Sequence, residues 1–212
     1  VRRLIESAAV ALIRVPDRSS VLPIVEAIAE GGIGAIEITL TVPGALEEIE
    51  RVAARMGDRI LLGVGSVLYA RDAQRALDAG ARYVISPVYK RELIDVAHAA
   101  GVPALPGCYS PTEIQTAHEA GADIVKVFPA NALGQSFIRG VLAPMPHLKL
   151  MPTGGVSLTN AGDWLRAGAC VVGVGSALLD ADAISDSRYG VLTGHARTLR
   201  KSIDEARSAM SN

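Results

Sequence analysis

The chain has 212 residues, half of them hydrophobic, with 21 Lys and Arg against 22 Asp and Glu and a formal net charge of −1. This balance offers neither a basic stripe for nucleic acid nor a like-charged interaction tail, and the length suits one domain with a large core, residues 1–212. The longest apolar stretches, such as 169–179, contain glycine and serine and fall short of the roughly 20 residues a membrane span needs. Arg14 breaks the run that follows Arg2 and Arg3, so no signal peptide is expected and cytoplasm is the expected compartment. Cys108 and Cys170 lie far apart among apolar neighbours and read as packing residues of a reducing compartment.

Along the chain, five similar phrases recur: AEGGIGAIEI from Ala29, DAGARYVIS from Asp78, AAGVPALPG from Ala99, EAGADIVKV from Glu119 and RAGACVVGV from Arg166. Each reads as a helix closed by a left-handed glycine, then a short buried strand. Extending the pattern predicts strands near 9–14, 34–39, 60–64, 82–86, 102–106, 123–128, 148–151 and 170–174, with amphipathic helices between and after them. Repeated βα units of this number point to an α/β fold, a compact single-domain (β/α)₈ TIM barrel. The rival is a doubly wound open sheet, but nothing divides the pattern into halves.

In a barrel of this kind the chemistry sits at the C-terminal ends of the strands. Lys126 ends the sixth predicted strand among apolar residues, with Asp123 on the opposite face by the two-residue period. Its amine is either an imine-forming nucleophile or a structural cation paired with a carboxylate. Glu37, between Ile36 and Ile38, is either a general acid and base or the counter-ion of Lys126 or Arg14. Gly154 and Gly155 after the seventh strand, with Gly175 and Ser176 after the eighth, stand where barrels bind phosphate, though glycines also simply form turns. Arg14 suits a carboxylate, a phosphate or a salt bridge. Ser66, Thr153 and Ser176 are hydroxyls that can orient a ligand or serve as turn residues.

The four histidines look scattered: His98 and His118 near helix C-termini, His147 and His195 without a partner at ligand spacing. No metal site and no cofactor are expected. Neither GVGSVL nor GVGSAL completes a dinucleotide fingerprint.

With Glu37-Ile-Thr-Leu, Gly63-Val-Gly-Ser-Val-Leu, Ile85-Ser-Pro, Pro106-Gly-Cys, Lys126-Val-Phe-Pro-Ala and Pro152-Thr-Gly-Gly-Val in this order, the chain resembles the 2-keto-3-deoxy-6-phosphogluconate (KDPG) and 4-hydroxy-2-oxoglutarate (KHG) aldolase family along nearly its whole length. The resemblance implies a class I lysine aldolase in which Lys126 forms the Schiff base and Glu37 is the general acid and base. It makes Phe128 and Pro87 the pocket wall beside the imine and sets Ser66 near the substrate carboxylate. Thr153, Gly154, Gly155, Gly175 and Ser176 would hold the carboxylate end and the phosphate, and Arg14 matches a first-strand arginine. One departure is Thr41, where phosphogluconate enzymes often carry arginine.

The implied partners are a 2-keto acid, a phosphorylated aldehyde and further copies of the chain in a homotrimer. The implied reaction cleaves 2-dehydro-3-deoxy-6-phosphogluconate to pyruvate and glyceraldehyde 3-phosphate. The phosphogalactonate and 4-hydroxy-2-oxoglutarate substrates are alternatives. A phosphate-binding barrel isomerase or synthase, or a binding protein without catalysis, would use the same loops without an imine.

Overall fold

The computed structural model describes residues 1–211. Its elements run α1 (Arg2–Ser7), β1 (Ala9–Ile13), α2 (Val21–Glu30), β2 (Ala35–Thr39), α3 (Ala45–Met56), β3 (Leu61–Gly65), α4 (Ala70–Asp78), β4 (Val84–Ile85) and α5 (Arg91–Ala99). They continue with β5 (Ala104–Leu105), β6 (Gly107–Cys108), α6 (Pro111–Glu119), β7 (Val125–Val127), α7 (Gly134–Leu142), β8 (Leu150–Pro152), α8 (Ala161–Arg166), β9 (Val172–Val174), α9 (Ala181–Ser185) and α10 (Gly190–Ser211).

The repeated phrases end helices as expected. Their glycines Gly32, Gly80, Gly101, Gly121 and Gly168 have φ of 94°, 108°, 71°, 100° and 107°, a region closed to most side chains. After α4, for example, Gly80 N–H donates to Leu77 O at 3.0 Å and Ala81 N–H to Ala76 O at 2.9 Å, which satisfies the last carbonyls and turns the chain toward β4.

All strand pairs are parallel. Six strands form one sheet in the order β5-β4-β3-β2-β1-β9, and three form another in the order β6-β7-β8. The sheets adjoin at two places: β5 and β6 are consecutive around Pro106, and Thr153 bridges Gly173 in parallel. The single strand expected at 102–106 is instead two short segments, because Pro106 has no N–H to donate to a ladder. Its carbonyl still accepts from Lys126 N–H at 2.9 Å. The strand expected at 82–86 is paired only over Val84–Ile85.

Strand alternation sorts the side chains into two cores. Ile13, Ile36, Ile38, Leu62, Val64, Val84, Val125, Val127, Leu150, Val172 and Val174 pack outward against the helices. Val10, Leu12, Ala35, Tyr83, Ile85, Leu105, Ile124, Met151 and Val171 pack against one another on the concave side. Helix α1, which the sequence pattern did not announce, adds Leu4 to this inner cluster. By the same two-residue period Glu37, Gly63, Gly65, Lys126, Thr153 and Gly173 face the concave side, toward the C-terminal strand ends. No described helix is long and apolar enough to cross a membrane.

Candidate active site

Among the described residues, three charged side chains are buried: Glu48, Glu37 and Lys126. Glu48, 2% exposed, accepts from Arg18 Nε at 3.1 Å and Arg51 Nη1 at 3.4 Å, an ordinary paired carboxylate. Glu37 is different. It is fully buried on β2, and neither Oε1 nor Oε2 has a hydrogen-bond partner. Its carboxylate lies over Gly65 on the neighbouring strand, where a Cβ would stand 1.4 Å from Oε1 and 2.0 Å from the carboxyl carbon. Glycine at 65 is therefore a requirement of Glu37's position. The GVG of β3 carries that signal in the sequence, but only the register of β2 against β3 shows what the missing side chain makes room for.

Lys126, in the middle of β7, is 4% exposed, with its Nζ 5.2 Å from the centre of the Phe128 ring. Asp123 is engaged elsewhere, accepting from Ala104 N–H and contacting His98 Nε2, both at 2.9 Å, so it does not neutralise the lysine. Burial pushes the Lys126 amine below the usual lysine range; the Glu37 charge opposes this and Arg14 adds to it. Burial likewise pushes the Glu37 carboxyl above the usual carboxylate range, against the pull of Lys126 and then Arg14. In both groups desolvation outweighs mutual attraction, and each is driven toward its neutral form. The counter-ion reading of Glu37 has no support in contact geometry.

A cavity of about 330 Å³ opens at Phe128, whose ring neighbours the Lys126 amine; neither Lys126 nor Glu37 is among its lining residues. Arg14, Phe128, Thr153, Gly154, Gly155, Gly175 and Ser176 line it, together with Leu12, Val156, Gly173 and Leu179, to which the sequence assigns no role in the site. Gly173 was findable by counting alternate positions along β9. A Cβ there would stand 2.2 Å from Thr153 Oγ1, which is buried and unpartnered. Gly154 and Gly155 adopt φ of 99° and 73°, beside Asn131.

Among the described residues Arg14 forms no ion pair; its Nη2 donates to Ser66 Oγ at 3.2 Å. Ser66 holds φ 59°, a left-handed serine directly after Gly65. Ser66 does not line the cavity itself and joins the site through Arg14. Pro87 is also outside the lining: its carbonyl carbon and oxygen would lie 2.4 Å from a Cβ on Gly107, which is in register with Lys126. It stands one strand away from the amine.

Thr41 shares a 2.8 Å hydrogen bond with Thr39.

Two of the four histidines meet in space. His118 and His147 meet with ring centres 4.9 Å apart, His98 pairs with Asp123, and His195 Nδ1 lies 3.2 Å from Leu178 O. His118, in the last turn of α6, and His147, before β8, meet only in three dimensions. No group of three or more His, Cys, Asp or Glu suited to a metal occurs among the described residues. Both cysteines are free, and burial pushes the Cys108 thiol up to about 12 and Cys170 to about 11, as packing residues.

Comparison with known proteins agrees with this chemistry. The family model described as KDPG and KHG aldolase matches residues 2–193. The 2-dehydro-3-deoxy-phosphogluconate aldolase of Treponema pallidum is 35% identical over 173 residues, 81% of this chain and 82% of that protein. The 2-dehydro-3-deoxy-6-phosphogalactonate aldolase of Escherichia coli is 32% identical over 170 residues, 80% and 83% of the two chains. Among solved structures, a Legionella pneumophila KDPG aldolase with pyruvate captured as a covalent carbinolamine has a TM-score of 0.85 at 29% identity, covering 92% of this chain and 96% of that one.

Proposed function

The chain belongs to the KDPG and KHG aldolase family, and from that premise we propose that it is a class I aldolase cleaving 2-dehydro-3-deoxy-6-phosphogluconate to pyruvate and glyceraldehyde 3-phosphate. The observation that carries the reading is a buried, unpaired lysine amine beside a buried, unpartnered carboxylate. A structural ion pair would bring the two into contact; an imine site needs the amine neutral and the carboxyl able to change its proton.

The assigned steps follow from those two groups. Neutral Lys126 Nζ attacks the C2 ketone to give a carbinolamine. Protonated Glu37 gives its proton to the departing hydroxyl, water leaves, and a protonated imine remains. Glu37, now ionised, takes the C4 hydroxyl proton; the C3–C4 electron pair moves toward the imine, the aldehyde departs and a pyruvate enamine is left. Protonation at C3 and hydrolysis release pyruvate and regenerate the amine. The 5.2 Å separation of Lys126 Nζ from the Phe128 ring centre supports Phe128 as a wall of the imine pocket.

Thr153, Gly154, Gly155, Gly175 and Ser176 on the cavity wall are assigned to the phosphate and the acid end, with Arg14 and Ser66 as a hydrogen-bonded anchor. Pro87, packed over Gly107 in register with Lys126, is assigned to the wall beside the imine. The family resemblance supports further readings: one domain closing its two sheets as a (β/α)₈ barrel, a homotrimeric assembly and a cytoplasmic site of action. The two junctions, around Pro106 and at Thr153–Gly173, support the closure.

Borohydride reduction with pyruvate, followed by peptide mass spectrometry, tests the central claim. The expected product is a pyruvate-derived adduct on Lys126. An unmodified Lys126, under conditions that trap a control aldolase, overturns it in favour of a barrel isomerase or binding protein. Turnover of the phosphogluconate, phosphogalactonate and 4-hydroxy-2-oxoglutarate substrates side by side then ranks the three.

A further inference from the structure

Tyr83 lies immediately before β4 and is fully buried in the inner core, among Leu12, Ile85 and Met151. Its ring crosses the neighbouring strand β3 at Gly63, where a Cβ would stand 2.3 Å from the ring. Gly63 is the register partner of Glu37 on the next strand, and the Glu37 carboxylate lies over Gly65, two residues further along the same face of β3. Tyr83 and Glu37 thus reach across one strand from its two sides, the ring at Gly63 and the carboxylate at Gly65. Two glycines at alternate positions clear the space for both.

The phenol oxygen is buried and has no hydrogen-bond partner among the described residues, and the same holds for both Glu37 oxygens. A buried donor left unpaired in an apolar core is rare and costly, and phenylalanine would fill the same ring volume without it. Three orphaned polar atoms from the two sides of β3, one of them a donor and two of them acceptors, are complementary to each other.

We infer that Tyr83 is a positioning residue for Glu37: its O–H donates a hydrogen bond to the ionised carboxylate, directly or through one buried water, and holds it for removal of the C4 hydroxyl proton. The inference rests on the aldolase reading above. The charged and titratable groups acting on Glu37 are Lys126 from β7, Arg14 after β1 and Tyr83 itself. Burial and then the Glu37 charge push the phenol well above the usual tyrosine range, so it remains a donor throughout the working pH range.

The test is Tyr83→Phe, which removes one oxygen and keeps the ring. Loss of the donor disfavours ionised Glu37, so the acid limb of the kcat profile is expected to move upward by about one pH unit, about tenfold in rate on that side. KM should stay near the wild-type value and pyruvate trapping on Lys126 should persist. An unmoved limb with kcat within about twofold of wild type overturns the inference, whatever happens to the melting temperature. If Tyr83→Phe does not fold, 3-fluorotyrosine at position 83 replaces it: the more acidic phenol should move the limb downward, and no movement overturns the inference. Failure to trap pyruvate on wild-type Lys126 instead defeats the aldolase reading itself, so the two failures are distinguishable.

Discussion

Gly65→Ala isolates the placement of Glu37 from its chemistry. The added Cβ would stand 1.4 Å from Glu37 Oε1, 2.0 Å from Cδ and 2.5 Å from Cγ. Normal non-bonded contact is about 3.5 Å, so the carboxylate must shift by about 2 Å or β3 must bow outward. The backbone at 65 lies outside the left-handed region, so the perturbation is steric and comes from the side chain. A misplacement of about 1 Å at a reacting group can cost about 10²-fold, so kcat should fall by at least about 10²-fold, about 2.7 kcal/mol of barrier. Overpacking should cost a further 1–3 kcal/mol of stability, roughly, which a thermal melt reads separately. The assay is steady-state cleavage followed by pyruvate release, with borohydride trapping on Lys126 as the control for the amine. A folded Gly65→Ala protein with kcat within about threefold of wild type would refute the assignment of proton transfer to Glu37 in this position.

Other substitutions separate the remaining roles. Because burial raises the Glu37 pKa in the folded state above its unfolded value, the native chain binds more protons in the interval between them, and stability falls as pH rises through that window. Glu37→Gln, neutral throughout, should therefore melt higher than wild type at pH 7.5 but not below about pH 4, while kcat drops by about 10²–10⁴-fold; a lower melting temperature at pH 7.5 contradicts the burial argument. Arg14→Ala removes an exposed cation on the cavity wall and should raise KM for the phosphorylated acid by about tenfold or more, with the melt unchanged; an unchanged KM removes Arg14 from the binding set. Ser110→Ala breaks the capping box of α6, in which Ser110 Oγ accepts from Glu113 N–H at 3.3 Å and Glu113 Oε2 from Ser110 N–H at 2.8 Å. It should cost about 1 kcal/mol, about 2–4 °C in Tm, without touching kcat.

Local chemistry made much of this molecule legible in one dimension. The alanine-glycine phrases named the helix ends, since glycine is the residue that takes a left-handed φ freely, and five of five such glycines do so. The apolar runs after them named the strands, and Lys126 and Glu37 stood out because a charge inside such a run is expensive unless it is used. Where the reading overshot, the reason was pairing: Pro106 looked like the end of a strand and is instead its interruption, because a missing N–H shows only when a neighbour needs it.

What the order of residues could not express is which side chains share a space. Gly63 and Gly65 carry no visible purpose in the sequence until the register of β2, β3 and β4 brings Tyr83 and Glu37 over them. His118 and His147, 29 positions apart in the chain, read as unrelated until the end of α6 and the segment before β8 bring their rings to a separation of 4.9 Å. The sequence by itself determined the period of the elements and their caps, and it marked Lys126 and Glu37 as charges inside apolar runs, all of which depend on interactions within a few residues. Tertiary structure alone decided that the buried amine and carboxyl stay unpaired and share one concave face, because desolvation and strand register are properties of the assembled sheets.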